Sequence, residues 1–111
     1  MDFSEIMRLV HTNSKDKGWW EKEKWFGDEC SLYHSEISEA FEEFRKGKAL
    51  KEIYTNPEKP NKPEGIAIEL ADVIIRIMDF CQGKGIDLEE ALLIKHEYNK
   101  IREFRHGGKF L

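Results

Sequence analysis

The run IAIELADVIIRIMDFC, residues 66–81, is apolar almost throughout, yet it carries Glu69, Asp72, Arg76 and Asp79. At about 100° per residue these four fall in one narrow stripe, and Ile66, Leu70, Val73, Ile74, Ile77 and Met78 cover most of the remaining circumference. The segment predicts a helix over Glu64 to Gln82, broken by Gly83 and Gly85, that is apolar on nearly every side but one. Such a helix needs apolar partners on several faces, so the rest of the chain has to pack around it.

Phe3, Ile6, Met7 and Val10 recur at helical spacing, and Asp2 with Glu5 has a capping-box pattern, which predicts a first helix ending near Asn13. The polar stretch NSKDKGWWEKEKWFGDE reads as a connection with one more helical turn. Asp28 to Lys46 predicts a second helix, capped by Asp28 and stopped by Gly47, with Tyr33, Ile37, Ala40, Phe41 and Phe44 on the face that packs inward. The following KALKEIYTNPEKPNKPEG holds Pro57, Pro60 and Pro63, which exclude a helix beyond Asn56, and reads as a long surface loop. Asp87 with Glu90 opens a fourth helix running to about Phe104, and RHGGKFL reads as an irregular tail. Neither a repeat nor an alternating strand pattern stands out. The expected fold is all-α, a four-helix bundle with one long loop, in a single domain over residues 1–111.

Composition narrows the function. Charged residues make up 36% of the chain, which suits helices with one solvated face, and the net charge of −4 disfavours nucleic acid and membrane surfaces as partners. Cys30 and Cys81 form no CxxC and read as reduced, buried thiols. The N-terminal MDFSEIMRLV has no basic segment of the signal-peptide kind, and no apolar stretch reaches the roughly 18 uninterrupted residues of a membrane span. A cytoplasmic protein is expected.

The acidic stripe by itself reads most simply as the solvated edge of a buried helix, laced by an Asp72–Arg76 pair. The second helix alters that reading, because Glu36 and Glu39 repeat the i, i+3 spacing of Glu69 and Asp72. Two carboxylate pairs meeting across a helix interface would repel at a cost of several kcal/mol per uncompensated ion unless a divalent cation neutralises them. Oxygen-only ligands select Mg²⁺, Mn²⁺ or Ca²⁺, and Mg²⁺ completes its shell with water and substrate phosphates. A di-iron bundle would instead need Glu-x-x-His on two helices, and the chain offers only Glu103 with His106.

Glu36-Ile-Ser-Glu39 followed by Glu69-Leu-Ala-Asp72, with a loop between and a helix ending in KHEYNKIREFRHGGK, resembles the MazG-like all-α nucleoside triphosphate pyrophosphohydrolases over about His11 to Lys109. The resemblance implies hydrolysis of a nucleoside triphosphate to the monophosphate and pyrophosphate, Mg²⁺ held by Glu36, Glu39, Glu69 and Asp72, with Mn²⁺ as a substitute, and a homodimer or homotetramer. A member that cleaves phosphoribosyl-ATP is the nearest alternative within the same superfamily. His11 and Trp20 resemble the histidine and tryptophan with which the dCTP pyrophosphatase branch contacts its nucleotide. Lys46 and Arg76 stand where that branch has further aromatics, so the resemblance does not extend to a preference for cytosine. Ser35 likewise replaces the first of the paired glutamates common in MazG proteins.

The chemistry agrees with this reading. Triphosphate hydrolysis needs a positioned water and neutralised phosphate charge rather than a side-chain nucleophile, and Glu39 is the expected group to orient or deprotonate the water. Lys95, Asn99 and Arg102 share a stripe of the fourth helix suited to gripping phosphates, and Lys109 sits in a glycine-rich tail that can close over them. The competing class of function is a non-catalytic helical binding module, in which the acidic residues point apart and bind no metal.

Overall fold

A computed structural model describes residues 1–102. Along the chain these form α1 (Phe3–Asp16), α2 (Phe26–Arg45), β1 (Tyr54–Asn56), β2 (Lys59–Glu64), α3 (Ile66–Lys84) and α4 (Leu88–Ile101). The described chain is therefore mostly helical, with one small two-stranded sheet.

Helix ends follow local chemistry. The Asp2 carboxylate accepts from the Glu5 N–H at 2.8 Å and the Asp87 carboxylate from the Glu90 N–H at 3.0 Å, satisfying donors that a helix start leaves open. α2 begins earlier than expected, with Trp25 at its N-cap and no side-chain cap bond. Asp28 is thus a first-turn residue, where its charge faces the positive end of the helix dipole, and not the cap. α3 ends at Gly85, whose φ of 71° is the left-handed conformation of a terminating glycine, while the Ile86 N–H reaches back to the Cys81 carbonyl at 2.8 Å. Gly83, expected to break the helix, lies inside it. A Cβ there would strike the rings of Trp20 and His11, so the missing side chain is the seat on which both rings rest.

The expected surface loop is in part an antiparallel ribbon, with Tyr54 opposite Glu64 and Asn56 opposite Lys59. Pro60 and Pro63 rule out a helix, but each strand of a two-stranded ribbon has an outer edge that needs no N–H donor. The ribbon enters α3 through Gly65, with φ 134° and no room for a Cβ against the Glu52 carbonyl.

α3 packs along α2 and along α1, as the apolar circumference of its sequence requires. Met7, Met78 and Cys81 form the buried centre of the α1–α3 contact, with Phe3, Ile6, Val10, Ile77 and Leu88 around it. On the other side Val73, Phe80 and Ala40 are buried, and the Phe26 and Phe80 rings lie 5.4 Å apart. α4 meets α3 only lightly and buries none of its residues, so the described chain is three packed helices with a fourth held at the margin.

α2 departs most from its sequence pattern. Ile37, Phe41 and Phe44, expected to pack inward, are 51%, 59% and 55% exposed. The buried positions are Glu29, Glu36, Ala40 and Glu43, a stripe of alternating three- and four-residue steps with Tyr33 between. Each buried carboxylate of this stripe has a partner, as burial of a charge demands: the Lys24 ammonium is paired with Glu29 at 3.6 Å, Arg76 Nε donates to Glu36 at 3.1 Å, and the Tyr54 hydroxyl donates to Glu43 at 2.6 Å. The bond to Glu43 holds the Tyr54 hydroxyl up at about 12. No helix of the described residues is long and apolar enough to cross a membrane.

Gly83 supplies a test of this packing. On an open helix surface Gly→Ala stabilises by about 0.5–1 kcal/mol. Here Gly83→Ala should instead lower the melting temperature and change tryptophan fluorescence, because Trp20 must leave its seat. A raised melting temperature with unchanged emission would mean that the rings do not rest on the α3 backbone.

Candidate active site

Where α2 crosses the first turns of α3, Glu36, Glu69 and Asp72 each bring one carboxylate oxygen within 4.8 Å of the others. Helical spacing puts Glu69 and Asp72 on one face of α3, and the polar stripe of α2 delivers Glu36 to the same place. Glu36 is buried, Glu69 half-buried and Asp72 exposed, so the triad spans the distance from interior to solvent. Glu39 is not part of it. It lies beside Glu69 instead, near enough to share a hydrogen bond.

The electrostatics record the crowding. Burial, the charges of Glu39 and Asp72, the hydrogen bond with Glu39 and the charge of Glu36 together raise the Glu69 carboxyl to about 7. Asp72 is also raised, by burial and then by Glu36, against the opposing pull of Arg76 and Lys62. Arg76 donates from Nε to Glu36 across the helix interface rather than pairing along its own helix with Asp72. One guanidinium thus serves two carboxylates, Glu36 and Asp72. The donor set is oxygen only, an acidic cluster of the kind that can hold a metal ion.

One turn beyond Arg76 the stripe enters the interior. Asp79 is buried and accepts three hydrogen bonds, from His11 Nδ1 at 2.8 Å, Ser14 Oγ at 2.7 Å and Trp20 Nε1 at 2.9 Å. With Asp79 ionised, His11 carries its proton on Nδ1, and the two rings meet edge to face at 4.9 Å. His11 and Trp20 are therefore brought together, but their polar atoms are directed at Asp79. Asp79 has no role in the sequence reading, although it shares a stripe with Glu69 and Asp72; the available signal is a carboxylate inside an otherwise apolar turn, which must find donors.

Between α1 and α3 a cleft of about 350 Å³ opens beside the triad, and Asp72, Arg76 and Asp79 line its α3 side. Lys95, Asn99 and Arg102 line neither this cleft nor the triad. Lys95 and Asn99 sit on exposed α4 and Arg102 is the extended residue that ends it, short of the expected Phe104, with the Lys95 ammonium 4.8 Å and the Arg102 guanidinium 5.9 Å from the Tyr98 ring centre. Lys109 lies outside the described residues. Comparison of the chain with protein-family models, with curated proteins and with solved structures gives no match.

The raised carboxyl of Glu69 fixes a pH dependence. A group that holds its proton more tightly when folded stabilises the fold fully below its unfolded pKa, and that contribution is lost as pH rises through the folded value of about 7. Without divalent metal, the melting temperature should fall between pH 5 and pH 8. The slope should flatten in Glu69→Gln. Equal slopes in wild type and Glu69→Gln would remove Glu69 from the crowded cluster.

Proposed function

We propose that the protein is a Mg²⁺-dependent nucleoside triphosphate pyrophosphohydrolase that releases pyrophosphate and a nucleoside monophosphate, with Mn²⁺ as a substitute metal. The observation that carries this reading is the meeting of Glu36, Glu69 and Asp72 across the α2–α3 interface, beside Arg76 and a cleft of ligand size. Bound there, a divalent cation would neutralise the phosphate oxygens and lower the charge opposing attack. Glu36, Glu69 and Asp72 are the residues to hold it.

The chain's own groups have separate tasks in this reading. Arg76, already at the triad, supplies a positive charge toward the substrate phosphates when its bond to Glu36 is given up. Glu39, beside the triad but outside it, is placed to accept a proton from the attacking water, and Glu69 is the second candidate. No side-chain nucleophile is needed: Ser14 lines the cleft, but its hydroxyl is a structural donor to Asp79, which also takes His11 and Trp20.

Assembly of several copies belongs to the same proposal. Ile37, Phe41 and Phe44 on α2 and Leu92, Leu93, Ile94 and Tyr98 on α4 are all at least half exposed, an apolar surplus that a second copy of the chain can cover. The rival reading, a non-catalytic helical module, draws on the Glu36–Arg76 ion pair, which neutralises one carboxylate without metal.

Two measurements decide. Incubation of nucleoside triphosphates with Mg²⁺ should release pyrophosphate, and in ¹⁸O-water the label should appear in the monophosphate, as attack at the α-phosphorus requires. Primary release of orthophosphate would reject this chemistry. Asp72→Asn should stay folded, because it relieves repulsion, and should lose at least a hundredfold in turnover; full activity would move the metal elsewhere. Light scattering should give a mass of at least twice the 13.1 kDa chain.

A further inference from the structure

We propose that Arg76 is a resident counter-ion of the carboxylate triad, which yields Glu36 to an incoming divalent cation and turns into the cleft between α1 and α3. This inference rests on the metal site of the hydrolase reading and adds how the chain itself holds that site without metal.

Competition for one carboxylate is the first argument. Glu36 is the buried member of the triad and accepts from Arg76 Nε at 3.1 Å across the α2–α3 interface. The same residue is one of the three whose carboxylate oxygens gather within 4.8 Å. A cation held there and the guanidinium would be like charges close together in a half-buried place, where repulsion is poorly screened. An arginine cannot relieve that by losing its proton, so it has to move.

The second argument is that Arg76 has somewhere to go. Its side chain is 29% exposed, lines the cleft with Asp72 and Asp79, and already brings its guanidinium to 5.7 Å from the Trp19 ring centre. Trp19 is itself 53% exposed. A guanidinium that leaves Glu36 therefore keeps an aromatic face and gains water. The move carries its charge from the triad to the cleft wall, so an anion meets a released cation there only after Glu36 has been taken.

The third argument is the contrast with the other buried glutamates of α2. Glu29 is paired with Lys24 of the α1–α2 connection, and Glu43 accepts from Tyr54 of the ribbon. Each of those partners ties a further element to α2, and among the described residues neither glutamate belongs to a group that could hold a metal. Arg76 comes from the helix that already carries Glu69 and Asp72, so its bond fastens no additional element. With that bond open, α2 and α3 remain packed through Ala40, Val73 and the Phe26–Phe80 contact.

The test uses the intact protein with Mg²⁺ alone and reads the arginine directly. In ¹⁵N-arginine NMR spectra, the Nε–H signal that disappears in Arg76→Lys belongs to Arg76. Titration with Mg²⁺ should shift this signal to the position of a solvated arginine and speed its exchange with water. Calorimetry gives a second readout. Arg76→Gln, which keeps a neutral donor for Glu36, should bind Mg²⁺ roughly 10- to 150-fold more tightly than wild type, the equivalent of one charge-assisted hydrogen bond. Lys62→Gln is the control for charge alone, because Lys62 acts on Asp72 through its charge while its ammonium pairs with Glu64; it should gain much less. If Arg76→Gln does not fold, the wild-type NMR titration decides by itself. If Mg²⁺ binds with the Arg76 signal unmoved, or Arg76→Gln gains no more than Lys62→Gln, Arg76 is a fixed structural partner and the exchange is rejected, although the hydrolase reading stands. If Mg²⁺ binds no folded form, the metal site and the exchange fall together.

Discussion

The carboxylates that α2 and α3 carry into their shared interface are the constraint on which the rest of the structure depends. An ionised carboxylate withdrawn from water costs several kcal/mol unless donors replace the water. Asp79 receives three donors from α1 and the segment after it, and in doing so fastens that whole N-terminal region to α3. Glu43 takes the Tyr54 hydroxyl and ties the ribbon to α2, and Glu29 takes Lys24 from the α1–α2 connection. Buried charge thus acts as a fastener for α1, the α1–α2 connection and the ribbon.

Against that background the triad is the exception. Glu36 and Asp72 share Arg76, and Glu69 is left with a carboxyl that holds its proton to about 7. Elsewhere the chain gives each buried carboxylate its own donor; here it places them close together and provides too few. A deficit of positive charge at one place, in a structure that meets that need at the others, is the physical content of the metal-site proposal. The wall of the adjoining cleft changes from charged at Asp72 and Arg76 to aromatic at Trp19.

The apolar residues tell a complementary story. With seven apolar side chains buried and none of the large ones fully so, the described chain leaves Ile37, Phe41 and Phe44 in one patch on α2 and an uncovered face along α4. A helix that turns its glutamates inward and its phenylalanines outward has its faces reversed for a lone chain. Both observations motivate the proposed assembly, in which the outer face of α2 would become interior.

Much of the fold was legible because local chemistry dictates it. The capping residues Asp2 and Asp87, the terminating Gly85, and the apolar circumference of residues 66–81 each act within a few residues, so they determined where α1, α3 and α4 lie and that α3 is central. The i, i+3 spacing likewise determined that Glu69 and Asp72 share a face. Tertiary structure alone decided which face of α2 turns inward, since the pattern of Ile37, Phe41 and Phe44 marks an apolar side without saying whether its partner is α3 or another chain. It also decided that Glu39 stands beside the triad and not in it, that Pro60 and Pro63 lie in a ribbon, and that Trp20 is fixed while Trp19 faces the cleft. Two adjacent tryptophans are indistinguishable in sequence. What separates them is the position of Asp79 on a helix some sixty residues away, and no local rule fixes a hydrogen bond across that separation.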